Sequence, residues 1–208
     1  MKLNLSQIQC IAHGAHKVWQ EDDGFHLSRF TDEELKLYKT TPYAQKSLST
    51  SGIKLCFKTN SPTLKLIVNT IPGTTRTYFA AEVFVNGERF GCIKNFEDEL
   101  VLGKQYPPMQ FKLGKYEGEF DLSQGEKVIE IVLPWSVNLI IESIELADNS
   151  TLQSIEKNIK LLAFGDSITH GYDALYPSNS YAERISKKLC AEIGKMLHAL
   201  SQSLPTAQ

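Results

Sequence analysis

Between Gly24 and Leu146, apolar residues recur at every second position in short bursts, and no long stretch shows them three and four apart. "GIKLCFKT" puts Ile53, Leu55 and Phe57 on one face and Lys54 and Lys58 on the other. "TLKLIVNT" groups Leu64, Leu66 and Val68 in the same way. A period of two is the signature of strands with one face buried. In "YFAAEVFVNGERFGCI" the pair Asn86-Gly87 is a hairpin signal, because both central residues of the tightest turn need a positive φ. "KVIEIVLP" and "NLIIESIELA" supply two more apolar-rich strands. Pro62, Pro72-Gly73, Pro107-Pro108, Gly125 and Pro134 punctuate the series. Many short strands at close spacing predict a mainly β region, a jelly-roll-like antiparallel sandwich over residues 1–150. One helix interrupts it at "FTDEELKLY", where Thr31 and Glu34 form a capping box.

The pattern changes after Ala147. "DNSTLQSIEKN" is a polar connection, with a boundary expected near residues 148–158. "IKLLAF" is apolar without alternation, the pattern of a strand buried on both faces. From Ser180 to about Leu200 the spacing turns helical, with Tyr181, Ile185, Leu189, Ile193 and Leu197 on one face and Pro177, Asn179 and Ser180 as a start signal. Residues 151–208 therefore read as a strand, a loop and a helix of α/β character. No internal repeat or low-complexity tract is present.

The loop between that strand and helix, Gly165-Asp166-Ser167, carries the chemistry. A strand running into a tight turn and then a helix lifts a hydroxyl off the sheet edge, where backbone N–H groups face the same point. Gly165 leaves room where the chain bends, and the Asp166 carboxylate accepts loop N–H bonds. Three such residues alone also describe an ordinary Asp-Ser turn.

The longer string "LLAFGDSITHGYD…YPSNSYAERISKKL" resembles the first motif block of SGNH (GDSL-type) hydrolases, a family of serine esterases and acylhydrolases. "GAHKVWQEDDGFHLSRFTDEELKLY" and "SGIKLCFKTNSPTLKLIV" resemble the β-sandwich that precedes the hydrolase domain in one branch, which includes some carbohydrate esterases. The resemblance spans roughly residues 11–192. It implies Ser167 as nucleophile, with its own backbone N–H as one oxyanion donor. Ile168 and Thr169 take supporting roles, and Tyr172, Asp173, Tyr176 and Asn179 sit at the cleft mouth. It implies no metal and no organic cofactor.

The resemblance also calls for a Gly and an Asn that complete the oxyanion hole, and for an Asp-x-x-His block. Only 38 residues follow His170; Asp173 is their one Asp and His198 their one His, with Lys195 three residues before it. "IGKMLHALSQSLPTAQ" reads as continuing helix. The chain is thus expected to carry a truncated SGNH unit, inactive by itself because a serine without a base is a poor nucleophile. His170 is weighed as a base against a solvent-exposed loop residue. His13, His16 and His26 read as surface or partly packed, and His198 as an ordinary helical residue. A lone strand and helix cannot cover their own apolar faces, so residues 159–208 are expected to be mobile, to pack on the sandwich or to pair with a second copy.

The remaining features exclude more than they assign. A net charge of −2, with Lys and Arg spread along the chain, gives no reason to expect nucleic acid. No window reaches the ~20 apolar residues of a membrane span, "VLPWSVNLIIESIEL" being broken by Pro, Ser, Asn and Glu, and the N-terminus lacks the apolar run of a signal peptide. Four widely spaced cysteines without a C-x-x-C pair fit a reducing, cytoplasmic setting, with a single Cys56–Cys92 bridge left open. The acidic stretches "QEDDG" (20–24) and "FEDEL" (96–100) read as solvated turns, and Trp19, Trp135 and Tyr78 as core or edge residues. Two functions stand side by side. One is a serine ester hydrolase acting on a small or carbohydrate ester; the other is a non-catalytic sandwich that binds carbohydrate or a partner.

Overall fold

The computed structural model describes residues 1–97 and 110–197. Two antiparallel sheets dominate it. The first runs β1 (Ala12–His13), β4 (Lys54–Thr59), β9 (Lys127–Val132), β6 (Ala80–Val85), β7 (Glu88–Lys94), and β11 (Gln153–Ser154) adds to β4. The second runs β2 (Lys17–Glu21), β3 (Gly24–Ser28), β10 (Val137–Leu146), β5 (Thr63–Pro72), β8 (Gly114–Asp121). The residues singled out by alternation meet between them: Leu55, Phe57, Leu64, Leu66, Val68, Ile129, Ile131, Leu139 and Ile141 belong to one buried cluster. The chain is mainly β, and the sheets form a sandwich because each buries one face against the other.

Local signals fix several connections. Asn86 (φ 50) and Gly87 (φ 85) turn β6 into β7. Thr31 and Glu34 cap α2 (Asp32–Lys39) reciprocally, as the sequence predicts. The N-terminal segment holds a helix the sequence did not announce, α1 (Leu5–Ile11). Asn4 and Gln7 cap it in the same way, and Ile8 and Ile11 enter the core. A short α3 (Ala44–Ser47) follows α2. All four cysteines are free, so Cys56 on β4 and Cys92 on β7 form no bridge. Pro107-Pro108 and residues 98–100 of "FEDEL" lie outside the described residues. Among the described residues no helix is long and apolar enough to cross a membrane.

After β11 the chain leaves the sandwich sheets. β12 (Lys160–Gly165) pairs in parallel with β13 (Glu192–Leu197), joined by α4 (Ser167–His170), a 3-10 turn (Pro177–Asn179) and α5 (Tyr181–Leu189). Three expectations change here. The helix stops at Leu189, where Cys190 takes a left-handed conformation (φ 50), and residues 192–197 are strand rather than continuing helix. Ile193 and Leu197 fit a helical step and a strand step alike, and parallel pairing with a segment thirty residues away decides between them. β12 is not buried on both faces: Leu162 is 53% and Phe164 60% exposed, while Leu161 and Ala163 are half-buried. The predicted apolar face of α5 is the outer one. Tyr181, Ile185 and Leu189 are exposed, and Ala182, Glu183 and Ser186 are buried.

The buried side of α5 is polar because the sandwich offers charge to it. Lys54, expected on a solvent face of β4, is only 4% exposed. Its Nζ lies 2.9 Å from Glu183 Oε2 and 3.6 Å from Glu130 Oε1. Glu82 of β6, fully buried, accepts from Ser178 N (2.7 Å) and Ser178 Oγ (2.9 Å). Lys187 Nζ donates to Gly87 O (2.7 Å), and Gly14 N donates to Glu192 Oε1 (2.9 Å). Of the three fates expected for residues 159–208, the described part, up to residue 197, shows packing on the sandwich.

Candidate functional site

β12 ends at Gly165, and α4 begins at Ser167. Between them Asp166 is the N-cap, its Oδ1 accepting from Ile168 N at 2.9 Å. Ser167 is exposed on the first helical turn, where backbone N–H groups have no partner within the helix. Gly165 is required for a different reason than bending. A Cβ there would lie 2.1 Å from Thr169 Oγ1 and 2.9 Å from Thr169 Cβ, so the glycine lets α4 fold back onto its own strand. Thr169 is buried and pairs with Tyr181 OH at 2.6 Å, tying the turn to α5. Gly171, left-handed at φ 107, closes α4, and Tyr172 N donates to Ser167 O at 2.8 Å. An exposed hydroxyl at a helix start, where among the described residues the Ser167 amide has no partner, suits nucleophilic attack with an oxyanion held by that N–H.

His170 is not the exposed loop residue of the sequence reading. It is 2% exposed, with Nε2 lying 2.9 Å from Trp135 O and 3.1 Å from Ser49 Oγ. A carbonyl only accepts, so Nε2 carries the proton and donates to it. Ser51 Oγ donates to His170 O at 2.6 Å. The imidazole therefore anchors the serine turn to the sandwich, and its Nε2 is not available as a base for Ser167. Among the described residues no hydrogen bond reaches the Ser167 hydroxyl. The other histidines stand apart from the turn. His13 Nδ1 lies 3.9 Å from Glu192 Oε2, with burial lowering its pKa; His16 is exposed; His26 stacks on Trp19. His198 lies outside the described residues.

Of the residues expected at the cleft mouth, three are held by the sandwich. Asp173 (φ 60) takes Arg76 Nε at 2.8 Å and Nη2 at 3.1 Å, with Tyr78 OH at 3.3 Å. The guanidinium keeps its carboxyl below the usual range. The Tyr172 hydroxyl meets Thr75 Oγ1, and its ring lies 4.9 Å from Trp135. Tyr176 lies under the Arg89 guanidinium (3.7 Å) and 5.6 Å from Phe96. Asn179 is exposed at the end of the 3-10 turn. Trp135 and Tyr78 are buried in a second, smaller cluster with Ala80 and Phe96, the core role expected for them, and Trp135 Nε1 donates to Ala174 O at 2.7 Å. The sequence reading missed the sandwich side of this junction: Ser49, Ser51 and Arg76. Nothing in "SLSTSG" or "TTRTY" distinguishes these residues from ordinary turn residues.

The "QEDDG" stretch is the β2–β3 hairpin turn, as expected of an acidic loop. Glu21, Asp23 and His26 bring one ligand atom each within 4.8 Å of one another. Those atoms are engaged locally, His26 Nε2 with Asp23 Oδ1 at 2.7 Å and Glu21 Oε1 with Trp19 Nε1 at 2.6 Å.

No protein-family model matches the chain, and no curated protein does. Solved structures do. A salicylyl-acyltransferase, SsfX3, from a tetracycline biosynthetic pathway superposes with a TM-score of 0.71 at 20% identity, over 89% of this chain and 51% of its own. A GDSL-like lipase from Bacteroides ovatus gives 0.60 at 15% identity, over 95% and 56%. A family two carbohydrate esterase from Cellvibrio japonicus gives 0.56 at 14% identity, over 95% and 52%. The chain thus shares the fold of esterase-like and acyltransferase enzymes and spans about half the length of each.

Proposed function

We propose that this chain is the nucleophile-bearing part of a GDSL-type serine ester hydrolase that acts on a small or carbohydrate ester. The observation that carries the reading is the serine turn. Ser167 stands exposed at the end of a parallel strand, on the first turn of a helix capped by Asp166 and anchored by His170. In this reading Ser167 Oγ attacks the acyl carbon while its own N–H, at the helix start, holds the developing oxyanion. The proton of Oγ passes to a base from outside the described residues, since His170 Nε2 is turned into the sandwich. The fold shared with a lipase, a carbohydrate esterase and an acyltransferase supports acyl chemistry on this scaffold. Four free thiols support a reducing compartment.

The test is hydrolysis of p-nitrophenyl acetate by this chain beside Ser167→Ala. A serine-dependent rate supports the reading, with the base supplied by a second copy or by the residues not described. Equal background rates restrict the hydrolase reading to a longer polypeptide that brings its own base. They favour, for this chain alone, a carbohydrate- or partner-binding sandwich, a second reading supported by the lack, among the described residues, of a base bonded to Ser167.

A further inference from the structure

The two helices that precede β4 leave a groove of about 620 Å³, and none of its lining residues belongs to the serine-bearing segment. α2 contributes Asp32, Leu35, Lys36 and Lys39, spaced as one face of a helix. α3 and the residue after it contribute Ala44, Gln45 and Leu48. Leu35, Ala44 and Leu48 make the groove apolar, and each keeps part of its surface open to solvent. The walls are held by their neighbours. The Tyr38 ring lies 5.0 Å from that of Phe30, and Thr41 Oγ1 donates to Tyr38 O (2.7 Å). The buried Arg29 donates from Nη2 to Lys46 O (3.1 Å). A groove fixed in this way is formed before any ligand arrives.

Its charge is uneven. Asp32, the carboxylate in the lining, is neutralised by Lys17 Nζ at 3.0 and 3.1 Å. Lys36 and Lys39 are exposed, and among the described residues neither has a carboxylate within ion-pair distance or an aromatic ring beneath it. An apolar surface thus adjoins two uncommitted ammonium groups, with the exposed Gln45 amide as a further donor. From Asp32 to Lys39 the helix rises about 10 Å, the span of an extended alkyl chain of roughly eight carbons.

We propose that this groove binds a straight-chain carboxylate of about that length, with the alkyl chain on Leu35, Ala44 and Leu48 and the acid on Lys36 and Lys39. Apolar contact supplies most of the affinity, and charge sets the orientation, because exposed ion pairs contribute little. The site is separate from Ser167 and does not rest on the esterase reading.

The experiment is calorimetric titration of the full chain with octanoate, 1-octanol and butyrate, each kept below its aggregation limit. Octanoate is expected to bind at one site per chain, about fivefold tighter than octanol and about tenfold or more tighter than butyrate. Replacing both lysines, Lys36→Gln with Lys39→Gln, is expected to bring octanoate down to the affinity of octanol. Leu48→Ser is expected to weaken octanoate and octanol alike and to leave their ratio unchanged. All three positions are exposed, so these substitutions leave the fold intact, which circular dichroism checks. No saturable octanoate binding, affinity no better than that of butyrate, a preference over octanol that survives the lysine substitutions, or indifference to Leu48→Ser overturns the site. Sedimentation identifies a competing occupant: self-association abolished by Leu48→Ser, in a chain that does not take octanoate, gives the groove to a second copy. Octanoate binding is expected to be unchanged in Ser167→Ala. A failed titration therefore leaves the esterase reading standing, and a serine-independent ester assay leaves the groove standing.

Discussion

The sandwich and the segment that follows it solve the same problem in opposite ways. In the sandwich the apolar faces meet each other, with Leu55, Phe57, Leu64, Leu66, Ile129 and Ile131 fully buried. In residues 160–197 the helix α5 turns its apolar stripe outward, and β12 leaves Leu162 and Phe164 open. What α5 and the turn before it dock is a largely polar face, through Glu183 to Lys54 and Ser178 to Glu82. The sandwich holds itself by transfer of apolar surface from water. The serine-bearing unit adds paired charges and hydrogen bonds, whose strength lies in the penalty for leaving one member alone, to the packing of Tyr172, Leu175 and Tyr176 on Trp135, Tyr78 and Phe96.

That contrast sets an order of expected effects. Phe57→Ala removes a ring from the centre of the shared core and is expected to destabilise the whole chain by about 3–5 kcal/mol, seen as one lowered denaturation midpoint. Lys54→Ala leaves the Glu183 carboxylate buried without its ammonium. A loss of about 3 kcal/mol is expected, confined to the docked unit. Hydrogen exchange checks the confinement, with residues 160–197 losing protection while β5 and β10 keep theirs; a uniform loss breaks the comparison.

A smaller effect comes from His13, where β1 faces Glu192 of β13, with Glu130 of β9 and Lys157 contributing charge. Burial is the largest influence and lowers its pKa below the ordinary 6.5. The neutral imidazole is therefore the form that folding favours. Its contribution is fully present above pH 6.5 and is lost as pH falls through the lowered value. Melting midpoints of the wild type and His13→Asn are expected to converge on acidification; parallel curves refute the assignment. The smallest effect is Phe164→Ser on the open face, where stability is expected to move by no more than about 0.5 kcal/mol. Its consequence lies elsewhere, because exposed apolar patches drive association. Sedimentation is expected to show concentration-dependent self-association that this substitution weakens.

How much of this was legible in the sequence follows the same division. Alternation at Leu64, Leu66 and Val68, the Asn86-Gly87 turn and the Thr31–Glu34 capping box act over a few residues, and each is where its local pattern places it. The Gly165-Asp166-Ser167 turn was visible as a loop after an apolar strand, although the short α4 that begins at Ser167 was not. The misreadings share a cause at long range. Alternation puts Lys54 on the solvent face of its strand, and the four-residue spacing puts Tyr181, Ile185 and Leu189 on the inner face of α5; the meeting of Lys54 with Glu183 across 129 positions of chain reverses both. β13 was read as helix because its partner β12 lies outside any local window, and His170 as exposed because Ser49, Ser51 and Trp135 come from the sandwich.

Gly14 closes the account of how the two regions meet. A Cβ on it would stand 2.4 Å from Gly52 O and 2.6 Å from Ile193 O, so three strands of backbone converge there with no side chain between them. Two of the three are at residues 14 and 52, and the third, at residue 193, is made well over a hundred residues later. On a ribosome adding roughly 5–20 residues per second, the seat for β13 leaves the tunnel several seconds before its occupant. Throughout that interval the seat waits uncovered, with the Lys54 charge on one side and the apolar Trp135 and Tyr78 on the other. Synthesis order thus makes this junction form after the sandwich strands that build it.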